Sequence, residues 1–175
     1  MDTRLTYGVF RTTWGWVGAL ASPEGLRRLT LPGPSAPEAL RDLGPGARSA
    51  AYAPESFQTL ADRLNAYFAG SPALFEDRLD LDQGTEFERS VWEAAGRIPF
   101  GETRAYGWVA ERIGRSRACR AVGRALGRNP LPLIIPCHRV VGSDGSLCGY
   151  GGGLPLKKRL LDLEARGRAP SGKQF

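Results

Sequence analysis

A segment punctuated by prolines sets the strongest limits on how this chain can fold: residues 129–142 read NPLPLIIPCHRVVG. Its apolar run, Leu133–Ile135, has strand character, and Cys137 and His138 follow closely. His138 is the only histidine in the 175 residues. A thiol is a good nucleophile only when ionised, and a neighbouring histidine can accept its proton directly or through a water. The pair therefore suggests a nucleophilic cysteine, although an unpaired cysteine is also a common small apolar residue of protein cores.

Positive charge is concentrated in the second half of the sequence. Residues 1–85 hold 8 Lys/Arg and 10 Asp/Glu, whereas residues 86–175 hold 16 Lys/Arg and 8 Asp/Glu, so the two parts carry net charges of −2 and +8. A basic half beside a mildly acidic half suggests that a polyanion docks on one side. Many basic proteins have no such partner, so charge alone leaves nucleic-acid binding open.

Length and composition are those of an ordinary protein with a buried core. A chain of 175 residues, 42% hydrophobic and 24% charged, can form one large domain or two small ones. No apolar run approaches the ~20 residues of a membrane-spanning helix, and no signal peptide is visible. Three cysteines without paired spacing argue for a reducing compartment, so we expect a cytoplasmic protein.

The first half has the pattern of a small antiparallel sheet with a packed helix. Turn-like residues separate three predicted strands: Leu5–Phe10, Trp14–Ala21 and Gly25–Leu31. A short helix is expected near Pro37–Leu43, and a longer one over Ser56–Ala69, where apolar residues recur at helical spacing. Leu79 and Leu81 suggest one more strand before a domain boundary between residues 84 and 85.

The second half has the pattern of a helix-turn-helix. Thr85 and Glu88 form a capping-box pattern at the start of one helix. A second helix is predicted over Tyr106–Ile113, and Ser116 is the expected cap of a third that ends near Gly127. Four arginines recur along this third helix at steps of three, four and four residues: Arg117, Arg120, Arg124 and Arg128. A charged helix face is usually only solvated, but beside a helix-turn-helix it favours DNA contact.

Several short sequence motifs occur in a characteristic order. Arg-Asn-Pro at residues 128–130 is followed by Pro-Cys-His-Arg-Val at 136–140, by Tyr-Gly-Gly-Gly-Leu at 150–154, and by a basic helix that reaches Glu164. In these motifs the chain resembles the O6-alkylguanine-DNA alkyltransferases, which move an alkyl group from guanine onto their own cysteine. The resemblance is close over residues 85–165 and loose before them.

The resemblance implies a role for each matching residue. Cys137 would attack the alkyl carbon on guanine O6, His138 would accept the thiol proton through a water, and Glu164 would orient the imidazole. Asn129 would tie the helix-turn-helix to the cysteine segment, and the Tyr106 hydroxyl would lie near guanine N3. The leaving guanine develops negative charge, so the pocket must supply donors.

The resemblance also implies how guanine and DNA are held. The Gly151 N–H would face O6, the carbonyls of Cys137 and Val140 would accept from the exocyclic amine, and Tyr150 would wall the pocket. The nucleotide would be flipped out of a double strand bound through its minor groove. Arg120 would fill the resulting gap, and the implied DNA contacts are those of Arg120, Tyr106, Arg124 and Ser143.

The sequence thus predicts a mixed α/β fold in which the sheet and most helices are segregated (α+β). The resemblance implies that the protein acts as a monomer on double-stranded DNA that contains O6-alkylguanine. The small N-terminal sheet domain (1–84) precedes a helical domain (85–175) that carries the helix-turn-helix and the cysteine segment. Some relatives hold a structural zinc in the first domain, but here no His or Cys occurs before Cys119. We therefore expect neither a metal nor a cofactor, and neither Cys119 nor Cys148 is expected to be the acceptor.

Three other functions were weighed against alkyl transfer. A damage-recognition relative that binds the lesion without transfer commonly has tryptophan in place of the cysteine, whereas Cys137 is present here. A DNA-binding regulator would need only the helix-turn-helix and neither Tyr106 nor the loop at Tyr150. A thiol hydrolase is disfavoured because its cysteine and histidine are usually far apart in sequence.

Overall fold

A four-stranded sheet forms the first layer of the molecule, whose computed structural model describes residues 5–167. The strands are β1 (Thr6–Thr12), β2 (Gly15–Ser22), β3 (Gly25–Leu29) and β4 (Ala51–Tyr52), in the order β3-β2-β1-β4. The three predicted strands are confirmed, and their pairings are antiparallel. The two-residue β4 runs parallel to β1, so the sheet is mixed rather than purely antiparallel.

Three helices and a 3₁₀ turn connect and cover this sheet: α1 (Ala36–Asp42), α2 (Pro45–Arg48), the turn Pro54–Phe57, and α3 (Gln58–Phe68). The predicted short helix is confirmed as α1, whose first turn is capped by the Ser35 hydroxyl accepting from the Glu38 N–H. The predicted longer helix is also confirmed. Its buried stripe includes Leu60, Leu64 and Tyr67, which places the Tyr67 ring in the core.

The strand predicted at Leu79 and Leu81 is wrong. Only one isolated bridge forms there, between Leu79 and Leu26 of β3. Two backbone hydrogen bonds accompany this bridge, from the Leu26 N–H to the Arg78 carbonyl and from the Asp80 N–H to the Leu26 carbonyl, at 2.8 Å each. The Asp80 carboxylate also accepts from Ser22 and Arg27 at 2.7 Å each, so the segment is held to the sheet by one bridge and one side chain.

The second half contains the predicted helix-turn-helix. The elements of this half, up to the cysteine segment, are α4 (Glu86–Gly96), β5 (Arg104–Ala105), α5 (Tyr106–Arg112) and α6 (Cys119–Gly127). The capping box at Thr85 and Glu88 is confirmed. The predicted cap at Ser116 is wrong, since α6 begins only at Cys119 after a turn in which the Ala118 N–H donates to the Arg115 carbonyl.

The cysteine segment is a compact turn rather than a strand. Pro132 and Ile135 form an isolated bridge, and Leu133 between them has a φ of +75°. Prolines at 130, 132 and 136 have no N–H to give to a strand ladder, which is why the strand character predicted for Leu133–Ile135 does not produce a strand. A 3₁₀ turn (Cys137–Arg139) and β6 (Val140–Val141), parallel to β5, follow before α7 (Leu154–Gly167).

One hydrophobic cluster extends through both halves of the described chain. It joins Leu29 of β3 and Leu64 of α3 to Val91 of α4, Leu131 and Leu160 of α7. The Leu29 N–H also donates to the Pro130 carbonyl at 2.9 Å, so the sheet contacts the cysteine segment directly. The boundary at residues 84 and 85 stays a prediction. Within residues 5–167, no helix has both the length and the apolarity needed to cross a membrane.

Candidate active site

Asn129 fixes the conformation of the cysteine segment. Its side-chain oxygen accepts from the Leu131 N–H at 2.9 Å, and its Nδ2 donates to the Ile135 carbonyl at 2.8 Å. The same nitrogen lies 3.2 Å from the Cys137 Sγ, close enough to donate a hydrogen bond to the sulfur. Asn129 lies two residues after the end of α6, and these hydrogen bonds join the chain that leaves α6 to the cysteine segment.

Cys137 lies on the wall of a cavity of about 720 Å³. Residues from the second half line much of it: Tyr106, Cys119, Arg120, Arg124, Asn129, Cys148, Tyr150 and Gly151. Leu31, which follows β3, also lines it. Val140 and Ser143 do not: Val140 is fully buried behind the wall, and Ser143 is exposed in the turn at Gly142–Ser146.

The Cys137 thiol is protonated in the resting protein. Burial raises the pKa of Cys137 above its ordinary value, and this outweighs the opposing effects of the Asn129 hydrogen bond and the charge of Lys157. A thiol with a raised pKa needs a base when it reacts.

His138 is fully buried, with 0% of its surface exposed. Its Nε2 lies 2.7 Å from Oε1 of Glu164 and 3.2 Å from the Tyr67 hydroxyl. Its Nδ1 has no hydrogen-bond partner among residues 5–167. Burial lowers the pKa of His138 despite the nearby carboxylate, so the imidazole is neutral near pH 7 and able to accept a proton.

Glu164 collects most of the hydrogen bonds in this part of the core. Its two oxygens accept from the Arg139 guanidinium at 2.9–3.2 Å, and Oε2 accepts from the Gly101 N–H at 3.0 Å. Burial alone would raise the pKa of Glu164, but the hydrogen bonds from His138 and Arg139 prevail and lower it to about 2. Glu164 is therefore ionised at neutral pH.

Three residues of the site were missed by the sequence analysis: Tyr67, Arg139 and Lys157. Arg139 also donates to the Ile98 carbonyl at 2.6 Å, which anchors the guanidinium on the α4 side. A sequence signal existed for two of them, because Tyr67 and Lys157 occupy positions on the buried stripes of their helices. A polar group on such a stripe needs a partner, and that need indicates a network.

Lys157 is a buried ammonium that supports the cavity from behind. It is 1% exposed, and its Nζ donates to the carbonyls of Val140 at 2.6 Å and Cys148 at 3.0 Å. It also lies 6.0 Å from the centre of the Tyr106 ring, at the outer limit of a cation–π contact. The Val140 carbonyl, which the resemblance assigns to guanine, is thus already held by one donor.

Two tyrosines stand at the cavity. Tyr106 begins α5 and its ring packs near Gly123 of α6, where an added Cβ would lie 3.6 Å from Cε1. Burial raises the pKa of Tyr106, so its hydroxyl remains a donor. The Tyr150 hydroxyl is buried and has no hydrogen-bond partner in the described part of the chain, and burial raises the pKa of Tyr150 as well.

Two arginines of α6 line the cavity. Arg120 and Arg124 are exposed and make no ion pair with any carboxylate of residues 5–167. Arg128, which follows the last residue of α6, differs because its Nη1 lies 3.0 Å from Oε1 of Glu88. The cavity is therefore lined on the α6 side by two arginines that are available to bind an anion.

Comparison with known proteins agrees with this geometry. Residues 86–166 match the family model described as 6-O-methylguanine DNA methyltransferase, DNA binding domain. A methylated-DNA–protein-cysteine methyltransferase of Mycobacterium bovis is 52% identical over 118 residues, which is 67% of this chain and 70% of that protein. One of Methanosarcina acetivorans is 51% identical over 110 residues, covering 63% and 70%.

Solved structures extend the similarity to nearly the whole chain. The Mycobacterium tuberculosis OGT in complex with DNA is 40% identical, with a TM-score of 0.79 over 95% of this chain and 96% of that one. The O6-methylguanine-DNA methyltransferase of Pyrococcus kodakaraensis is 27% identical, with a TM-score of 0.67 over 91% and 98%. The α+β fold is therefore shared along the chain, and the protein belongs to the methylated-DNA–protein-cysteine methyltransferase family.

Proposed function

We propose that this protein repairs DNA by transferring the alkyl group of O6-alkylguanine irreversibly to its own Cys137, one group per molecule. The observation that carries the proposal is the position of Cys137: it lines a cavity together with Arg120 and Arg124, and the next residue is a buried histidine paired with a buried carboxylate. The protein acts as a monomer, in the cytoplasm and without a cofactor.

The reaction exchanges one bond for another. The sulfur of Cys137 forms a bond to the alkyl carbon while the bond from that carbon to guanine O6 breaks, and its electron pair stays on the guanine. The thiol proton passes to His138 and is then returned to the guanine, which stays in the DNA, so the imidazole ends neutral as it began. No turnover follows, because the thioether has no leaving group that this site can activate.

His138 accepts the proton through Nδ1, with a water between it and the sulfur. Its Nε2 is engaged with Glu164 and Tyr67, which leaves Nδ1 as the free nitrogen. Glu164 stays ionised because Arg139 and the Gly101 N–H support its charge. It stabilises the imidazolium that forms when the proton arrives.

Guanine is held by backbone and tyrosine groups. The Gly151 N–H donates to O6, the Tyr106 hydroxyl donates near N3, and Tyr150 packs against the base. The carbonyls of Cys137 and Val140 accept from the exocyclic amine. Val140 can do so while bound to Lys157, because a carbonyl oxygen has two lone pairs.

DNA is bound through its backbone and minor groove, where the protein reads little of the base sequence. Arg124 and Ser143 contact the backbone, and α6 enters the minor groove with Arg120 in the gap left by the extruded nucleotide. A stacked base cannot reach a sulfur inside the cavity, so extrusion is required. It costs a few kcal/mol and least for a damaged pair.

The proposal is tested by intact-mass spectrometry after mixing the protein with a duplex that contains one O6-methylguanine. We expect one added methyl group per chain, mapped to Cys137, saturating at one equivalent. Cys137→Ala should show no gain, whereas Cys148→Ala, which removes another thiol of the same cavity, should still take up one methyl group.

Tight binding of the lesion without a change in mass would instead support a damage-recognition protein. Equal binding of modified and unmodified duplex, again without methyl uptake, would leave only a DNA-binding protein. Release of several product molecules per chain would indicate a hydrolase.

A further inference from the structure

Tyr67 connects the N-terminal half of the chain to the reacting groups. It lies in the last turn of α3, outside the region 86–166 that matches the family model, and is 1% exposed. Its hydroxyl is 2.6 Å from Oε1 of Glu164 and 3.2 Å from Nε2 of His138.

The protonation state of Tyr67 gives each of these hydrogen bonds a direction. Burial, followed by the charge of Glu164, raises the pKa of Tyr67 well above its ordinary value, so the phenol keeps its proton. At 2.6 Å that proton is donated to Glu164, a strong charge-assisted bond. The phenol oxygen is then left as an acceptor toward His138.

Two acceptors therefore face the same nitrogen of His138. Oε1 of Glu164 and the oxygen of Tyr67 both lie near Nε2, and neither can accept from it unless Nε2 carries the hydrogen. The neutral imidazole must then have its lone pair on Nδ1, which has no partner among the described residues. The phenol thus favours the tautomer that places the base on the free nitrogen.

Packing holds the phenol in place. The Tyr67 ring makes edge-to-face contacts with Phe68 and Phe100, with centroid distances of 5.6 and 6.1 Å. Gly101, which follows Phe100, donates its N–H to the other oxygen of Glu164. The carboxylate is consequently clamped from two sides, and α3 supplies one of them.

We propose that Tyr67 is a positioning residue for alkyl transfer: it orients Glu164 and holds His138 in the tautomer with hydrogen on Nε2. The inference rests on the proposed function, since it assigns the base that activates Cys137. It also gives the N-terminal half a direct part in the chemistry. We take the magnitude from histidines that bind metals, where loss of the group that orients the imidazole typically costs about 10- to 100-fold in activity.

The first test compares Tyr67→Phe with the native protein in a single-turnover methyl-transfer assay on duplex DNA. The variant keeps the ring and its packing and loses only the hydroxyl. We expect its transfer rate to fall about 10- to 100-fold at saturating DNA, with unchanged DNA affinity. Tyr52→Phe is the matched control, because Tyr52 is 61% exposed and lies away from the cavity; it should react at the native rate.

The second test is nitrogen NMR of the imidazole, which needs no assignment because His138 is the only histidine. The native protein should show the tautomer with hydrogen on Nε2, and Tyr67→Phe should show a mixture. Native-rate transfer by Tyr67→Phe, or a native imidazole with its hydrogen on Nδ1, would overturn the inference. If the variant does not fold, hydrogen on Nδ1 in the native protein still overturns the inference.

Failure of the proposed function has a separate signature. If the native protein takes up no methyl group, the alkyl-transfer proposal fails, whereas the NMR spectrum still reports whether the phenol sets the tautomer.

Discussion

The two groups of charged and polar residues near Cys137 differ in burial and in pairing. Behind it lies the buried cluster of Tyr67, His138, Arg139 and Glu164, in which the carboxylate accepts hydrogen bonds from all three of the others and from the backbone. In front lies the arginine face of α6, where Arg120 and Arg124 are exposed and bound to no carboxylate of the described residues.

This difference separates chemistry from docking. Charges in the core are costly unless every partner is present, so the buried cluster is fixed before DNA arrives. Exposed arginines cost little and adapt to a phosphate backbone whatever its sequence. Substitutions should therefore alter stability and reaction rate behind the cysteine, and DNA affinity and salt dependence in front of it.

The largest effect is expected from Glu164→Gln in the buried cluster. The change leaves the Arg139 charge in the core without its carboxylate, and removing one partner of a buried pair typically costs about 3–5 kcal/mol. We expect the free energy of unfolding in urea to fall by this amount and methyl transfer to slow at least 10-fold.

Asp162→Asn on the same helix is the control for Glu164→Gln. Asp162 is half exposed and bonded to exposed Lys158, so its loss should change the unfolding free energy by less than about 0.5 kcal/mol. Equal losses of unfolding free energy in the two variants would contradict the view that burial makes the Glu164 interactions more costly to break than the exposed pair.

Acidification should destabilise the protein through the same cluster. The folded-state pKa of His138 is lowered from 6.5, so the unfolded chain binds the proton first as pH falls below 6.5, and the stability present above that pH is progressively lost. The pKa of Glu164 is lowered from 4.5 to about 2, which adds a second loss as pH falls from about 4.5 towards 2.

Urea midpoints between pH 7.5 and 4.5 measure the first of these losses. Because His138 is the only histidine, His138→Asn should flatten the pH dependence between pH 6.5 and 5. A variant that kept the native slope in this window would show that the slope comes from other groups.

On the arginine face, Arg120→Ala should affect duplex substrates selectively. If Arg120 occupies the gap left by the extruded base, its removal should slow transfer from duplex DNA by about 10-fold, because extrusion costs a few kcal/mol. Transfer from the free base O6-methylguanine should keep its native rate, as should the urea midpoint. A parallel loss on both substrates would place Arg120 in the chemistry instead of in docking.

The two regions also differ in how well sequence alone predicts them. The positions of Arg120 and Arg124 on one exposed face of α6 follow from the 3.6-residue period, whereas the predicted Arg117 lies in the turn before the helix and Arg128 follows its last residue. The start of α6 could not, because a turn at residues 115–118 replaced the expected Ser116 cap. Local turn geometry decides such boundaries.

The buried cluster was only partly predictable. His138 was predicted from its position beside Cys137 and Glu164 only from the family resemblance, and the structure places the two side chains 2.7 Å apart. Tyr67 is 71 residues from His138 along the chain, and nothing local to α3 encodes their contact. The turn at Leu133 was missed for a related reason: an apolar run signals burial, but prolines on both sides prevent a strand.

The smallest effect is expected from a pair of neighbouring substitutions that compares free and paired arginines on one helix face. Arg124→Ala should weaken binding of modified and unmodified duplex alike and reduce the salt slope by about 1, as loss of one phosphate contact does.

Arg128 is already paired with Glu88, whose carboxylate also accepts from the Thr85 N–H at 2.9 Å. Arg128→Ala should therefore change DNA affinity less, and because Arg128 is mostly exposed and Glu88 keeps its cap, the unfolding free energy should fall by less than about 1 kcal/mol. Fluorescence anisotropy across a salt series measures both slopes. A larger slope change for Arg128 than for Arg124 would mean that DNA draws Arg128 away from Glu88, and the contrast between engaged and free charges would then hold only in the absence of DNA.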